Sequence, residues 1–215
     1  MRFRDREHAA QLLVERLRPN YWNKNALVLG VPRGAVPMAK IIADALGGEL
    51  NVVLVHKLTH PDEPELAIGA IDENGNAFVS DWAADLDTGY LEAEKKRQLE
   101  VLQRRRNAYT PQRGPSDPKR RVVIVVDDGV ATGSTMSAAL RALRANKPKQ
   151  LIGAVAVASP EAARALLHEC DAMVCLHVPV EFYSVGQFFE DFTQVTDEDV
   201  IRILSHNAAR VAAVG

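Results

Sequence analysis

Apolar positions fall along this chain in two rhythms. Between residues 5 and 18, Ala9, Leu12, Leu13 and Leu17 recur every three or four positions, the period of an amphipathic helix, and Pro19 follows its end. ALVLGV at 26–31 and NVVLV at 51–55 are unbroken apolar runs that read as strands. The helical pattern at 36–46 between them closes on Gly47-Gly48, a helix stop. Strand, glycine-containing turn, helix, strand is the βαβ unit of a parallel sheet. The alternation resumes later, with strands at 122–126, 151–158 and 172–177 and helices at 134–145 and 161–170. Most of these strands are continuous aliphatic runs, as expected of strands covered by helices on both faces.

The middle of the chain breaks the pattern. Residues 57–64 are polar and carry two prolines, and 66–71 and 77–80 flank Asp72-Glu73-Asn74-Gly75-Asn76, which suggests a hairpin. Residues 88–109 read as a long charged helix. Its Lys95, Lys96, Arg97 and Arg104–Arg106 are read as a solvated surface, with a nucleic-acid face as the alternative. A Pro-, Ser- and Asp-rich linker covers 111–119, and an aromatic segment at 182–192 precedes a helix starting near 196–198. The expected architecture is one α/β domain over 1–215. A parallel central sheet is flanked by helices, with a flexible hairpin and lid inserted at about 57–120 and a small C-terminal hood at about 178–195.

Composition narrows the class. Of 215 residues, 47% are hydrophobic and 25% charged, which allows a full core, and the net charge of −2 lacks the basic excess of a nucleic-acid coat protein. The charged N-terminus carries no secretory signal, and no apolar run is long enough to span a bilayer, so the expected compartment is the cytoplasm. Cys170 and Cys175 sit beside an apolar run without further ligands for zinc, and are expected to be buried free thiols.

The chemistry concentrates in VVIVVDDGVATGST at 122–135. An apolar strand delivers Asp127 and Asp128 to the C-terminal edge of a sheet, where open α/β folds bind ligands. Ala131, Thr132, Gly133, Ser134 and Thr135 then supply hydroxyls and unhindered N–H groups at the start of a helix, an anion-binding arrangement. Carboxylates beside a phosphate repel it unless they serve another group. Ribose hydroxyls, met directly or through Mg²⁺ and its waters, are such a group, so the implied ligand is a ribose phosphate. A Walker A loop is excluded, because Gly129 and Gly133 enclose three residues and Ser134 stands at the lysine position; no G-x-G-x-x-G fingerprint occurs.

The segment resembles the ribose-phosphate (PRPP) motif of type I phosphoribosyltransferases, and its ATG-x-TM ending is similar to that of adenine enzymes. More broadly the chain resembles the bacterial predicted phosphoribosyltransferases of unassigned substrate, from FRDR at Phe3–Arg6 to the aromatic tail. The resemblance implies Mg²⁺ and PRPP, with Asp127 and Asp128 serving ribose and metal, the metal through water. It implies a pyrophosphate turn at Pro32, Arg33 and Gly34, with a cis Pro32–Arg33 peptide. Taken alone, Arg33 offers a fork of donors to phosphate oxygens on a glycine turn, with an ordinary exposed turn arginine as the alternative. A mobile lid is implied at 56–71, where Lys57 carries over as a pyrophosphate contact and His56 departs from the family's usual Arg. Glu63 and Glu65 are its candidate proton-transfer groups, Glu65 favoured. Ala131 lacks the Asp that many hypoxanthine and guanine enzymes carry at that place. Residues 178–186 resemble the P-x-x-F-x-V-G hood, in which Phe182 or Tyr183 stacks on the base; packing against the tail helix is the alternative.

The expected activity is therefore transfer of ribosyl phosphate from PRPP to a nitrogen nucleophile, with a nucleobase as the favoured acceptor, and release of pyrophosphate. The expected partners are PRPP and a small acceptor, and the resemblance implies a homodimer. A PRPP- or nucleotide-sensing regulator with the same fold is the alternative, and hydrolysis or phosphorolysis of a ribosyl phosphate is a third.

Overall fold

The computed structural model describes residues 1–63, 66–80, 83, 85–111 and 114–212, with side chains to residue 205. Its elements run α1 (Arg6–Tyr21), β1 (Leu27–Gly30), α2 (Val36–Leu46), β2 (Glu49–Val52), β3 (Val55–Thr59), β4 (Ala67–Asp72), β5 (Ala77–Val79), α3 (Thr88–Tyr109), β6 (Val122–Val130), α4 (Ser134–Ala145), β7 (Gln150–Ala158), α5 (Pro160–Leu166), β8 (Ala172–His177), a 3₁₀ turn (Val185–Phe188) and α6 (Asp197–Ala212). Five strands form an all-parallel sheet in the order β2-β1-β6-β7-β8, and β3, β4 and β5 form a separate antiparallel sheet.

The two faces of β6 explain why it reads as a continuous apolar run. Successive strand residues point to opposite faces. Val122, Ile124 and Val126 join the core built with Leu13 of α1, Ile42 of α2 and Val200 of α6. Val123 and Val125 join the other, built with Leu140 of α4 and Leu166 of α5. Burying each such aliphatic side chain is worth about 1.5–3 kcal/mol.

Beyond β1 and β2, the structure redraws several expected boundaries. The apolar run at 51–55 is split, because the chain leaves the parallel sheet after Val52 and enters the second sheet at Val55. The stretch expected as an open lid is largely β3 and β4, paired antiparallel with His56 opposite Ile71 and Lys57 opposite Ala70. Leu58 and Ile68 are fully buried, which gives these short strands a core side despite their polar neighbours. β6 continues past Val126 to Val130, because β7 keeps pairing alongside it, with Asp127 opposite Val155 and Gly129 opposite Val157. α1 runs through Pro19 to Tyr21, and α5 stops at Leu166, short of Cys170. Leu167, next in line, is exposed, so no buried stripe continues the helix. Both cysteines are half-buried rather than fully buried, and burial pushes both thiols up from their ordinary value.

The arginine run of α3 is not uniformly solvated. Arg106 shares a stripe with buried Leu102 and Tyr109, and its guanidinium forms a two-pronged ion pair with Glu73, with side chains only 7% and 8% exposed. It also donates to Asn51 Oδ1 at 2.8 Å and to the Val52 carbonyl at 3.0 Å. At the other end of α3, the Tyr90 hydroxyl donates to the Thr59 carbonyl at 2.8 Å. The helix thus fastens the small sheet to the edge of the large one.

Candidate functional site

The site lies where the parallel sheet changes direction. From β1 the chain proceeds to β2 on one side; from β6 it proceeds to β7 and β8 on the other. Such switch points open a crevice at the carboxyl ends of the strands. β1 ends at Gly30 opposite Val126, so Asp127 and Asp128 lie on the part of β6 that overhangs it.

Alternation along β6 sends the two carboxylates to different faces. Asp128 continues the Ile124–Val126 side, is 9% exposed, and accepts a hydrogen bond from Arg6 Nε at 2.8 Å. Arg6 also donates to the Thr193 carbonyl at 2.7 Å and stacks over the Phe192 ring at 3.9 Å. Asp127 continues the side covered by α4, and its Oδ1 accepts the Asp128 N–H at 2.9 Å. Burial, then the charge of Asp128, hold its carboxyl well above the ordinary carboxylate value.

That shift has a sign. Asp127 binds its proton more tightly folded than unfolded, so its stabilising contribution is full at low pH and is lost as pH rises through the raised value. Asp127→Asn removes the titration. Thermal melts of the two proteins are expected to coincide near the ordinary value of 3.8. They diverge toward alkaline pH with the variant more stable, by about 2–4 °C per kcal/mol relieved.

The second turn packs against the first. The Pro32–Arg33 peptide is cis, as expected, and Gly34 follows it. A Cβ on Gly34 would stand 2.1 Å from Asp128 Oδ2, so only glycine lets this turn approach the acid pair. Arg33 Nη1 lies 3.8 Å from Asp197 Oδ2, at the start of α6. Asp197 also accepts a hydrogen bond from buried Tyr109, whose hydroxyl is pushed up to about 12, first by burial and then by that bond.

The 131–135 turn is open to solvent apart from Gly133. Gly133 has φ +83° and begins α4, the left-handed conformation that glycine adopts freely. The Thr132 and Ser134 hydroxyls lie 3.2 Å apart, and the Ala131 carbonyl accepts from Ser159 Oγ at 2.7 Å. Neither Thr132 nor Ser134 is held by a partner outside this turn among the described residues.

A cavity of about 390 Å³ brings part of the expected set together: Pro32, His56, Lys57, Ser134 and Thr135 line it, and so does Arg105 of α3. Its size falls in the range of small-molecule sites, about 300–1,000 Å³. His56 Nδ1 is buried with no hydrogen-bond partner among the described residues. Lys57 reaches this cavity from a strand, not from a loop.

Other expected residues stand apart from that cavity. Phe182 is half-buried against Phe188, with ring centroids 5.5 Å apart, while Tyr183 is 83% exposed. The hood itself is seated on the acidic strand, since a Cβ on Gly129 would meet Val185 Cγ1 at 2.4 Å. Glu65 lies outside the described residues, and Glu63 carries no described contact with the acid pair. Arg6 and Arg105 are functional candidates that the sequence alone does not single out. Arg6 belongs to the FRDR segment that carries the resemblance, but its partner lies 122 residues away.

The model of the phosphoribosyl transferase domain matches residues 5–187. A crystal structure of a Thermus thermophilus protein, TT1426, is 45% identical and superposes with a TM-score of 0.88, over 96% of this chain and 99% of that one. Curated proteins of two Mycobacterium tuberculosis strains, named "Putative phosphoribosyl transferase", are 36% identical over 99% of this chain and 48% of their own length. The chain therefore spans about half the length of the curated relatives it matches. Matched across most of its length and sharing its fold with a protein of 45% identity, the chain belongs to the phosphoribosyl transferase domain family.

Proposed function

We propose that this chain transfers the ribosyl phosphate of PRPP to a nitrogen of a small acceptor, releasing pyrophosphate. The observation that carries this reading is the meeting of two phosphate-type turns and an acid pair at one switch point, with Gly34 in contact distance of Asp128.

In the transfer, the bond from the anomeric carbon to the pyrophosphate oxygen breaks and its electron pair leaves with the pyrophosphate. The acceptor nitrogen forms the new bond to that carbon and gives up its proton. Residues 131–135 hold the 5-phosphate at the start of α4, which makes positioning the main contribution of that turn. Asp127 and Asp128 hydrogen-bond the ribose hydroxyls, and Asp128 stabilises positive charge on the ring. Arg33 and Lys57 bind the departing pyrophosphate. Glu65 and the rings of Phe182 and Tyr183 remain the candidates for proton transfer and base stacking.

The donor set suits Mg²⁺ that arrives with substrate. No group of three or more His, Cys, Asp or Glu gathers among the described residues, and Asp128 is already committed to Arg6. Mg²⁺ takes one or two carboxylates, keeps several waters and completes its shell with substrate phosphates. When bound, it neutralises charge on the pyrophosphate.

The test is incubation with PRPP, Mg²⁺ and a panel of nucleobases, following pyrophosphate. Release that requires a base is the expected result. Release without a base would assign hydrolysis instead, and binding of PRPP with no release would assign a sensor.

A further inference from the structure

Arg105 occupies a position that the described chemistry leaves unused. It projects from α3 beside two buried anchors on the same turns, Arg106 on Glu73 and Tyr109 on Asp197. Its own side chain is exposed and makes no salt bridge or hydrogen bond among the described residues. It lines the same cavity as Pro32, Lys57, Ser134 and Thr135, and none of the described residues lining that cavity is acidic. Its positive charge and that of Arg33 both act on the Tyr109 hydroxyl. A planar guanidinium matches phosphate oxygens with two parallel N–H donors.

We propose that Arg105 is a further cationic ligand of the leaving pyrophosphate, delivered from α3 alongside Arg33 and Lys57. This rests on the transfer reading above. Arg105 moves no proton. It holds charge on the departing group, and the rigidity of its two anchors sets where that charge sits.

The experiment is calorimetric titration of pyrophosphate with Mg²⁺, and separately of ribose 5-phosphate, into wild type, Arg105→Ala, Arg105→Lys and Arg104→Ala. Arg104 is the adjacent exposed arginine and does not line the cavity. Arg105→Ala is expected to weaken pyrophosphate binding about 10- to 100-fold, the range for losing charge-assisted hydrogen bonds. Ribose 5-phosphate affinity should stay within about threefold, Arg105→Lys should recover part of the loss, and Arg104→Ala should behave as wild type. Pyrophosphate binding unchanged in Arg105→Ala, with wild type binding it, overturns this assignment and leaves the transfer reading standing. Equal loss of both ligands in Arg105→Ala overturns it too, since that is the mark of a general structural effect. A wild-type protein that binds neither ligand overturns both.

Discussion

Asp128→Asn is expected to lower kcat/KM for pyrophosphate release from PRPP by about 10²–10³, the usual cost of removing one preorganised electrostatic group. The substitution keeps the shape of the side chain. It leaves the Gly34 turn its close neighbour and Arg6 an oxygen to donate to, but removes the negative charge that Arg6 meets and that the proposed mechanism offers to the ribose. Steady-state kinetics at saturating Mg²⁺ check it, with a melt to confirm folding. A variant within about threefold of wild type would sink the assigned role. Arg6→Met forms the companion measurement: it removes a cation that lowers the Asp127 value, so Asp127 should hold its proton more tightly and the pH profile should move toward alkaline values.

The largest stability effect is expected away from the chemistry. Arg106→Ala strands Glu73 in a site 8% exposed. Breaking a buried pair from one side costs about 3–5 kcal/mol. For a chain of this size that lowers the melting temperature by roughly 6–20 °C. Replacing both partners with apolar residues, Arg106→Met with Glu73→Leu, should recover most of the loss, because no unpaired charge remains. Differential scanning calorimetry reads both. A single variant that melts within about 2 °C of wild type would show that the pair contributes little. The double variant should still bind ribose 5-phosphate, since neither residue lines the cavity.

The parallel sheet is legible in the sequence because burial on both faces leaves an unmistakable trace: Val122 to Val126 carries no polar residue at all. The same logic misplaces the end of β6. Two aspartates look like a strand terminus in one dimension, whereas the neighbouring Val155–Ala158 of β7 keeps the backbone paired beneath them. In the small sheet the β4–β5 hairpin is legible from Asn74-Gly75, whereas β3 lies in a polar, proline-bearing stretch that the resemblance marks as a lid, and its core side consists of a few residues such as Leu58 and Ile68. Arg105 and Arg106 are indistinguishable as letters, yet helical phase separates them. Arg106 is four residues after Leu102 and three before Tyr109, while Arg105 is turned about 100° away. Arg6 leaves no local signal, because its partners are set by tertiary packing across 122 and 187 residues.

Those long separations bear on how the molecule is completed. Phe3 exchanges backbone hydrogen bonds with the hood, accepting from Glu190 and donating to Phe188, and Arg6 then bridges the hood to Asp128. Each of the two turns joins a strand to the helix that follows it, whereas the roof over the acid pair requires two distant stretches of chain to meet. Closing long loops costs more chain entropy than closing short ones. A ligand held by the finished crevice stabilises only molecules that have made this closure. At a hundredfold excess over its Kd, it adds about 2.7 kcal/mol to that state alone. On the proposed function PRPP is such a ligand, and its supply would raise the share of chains that are folded.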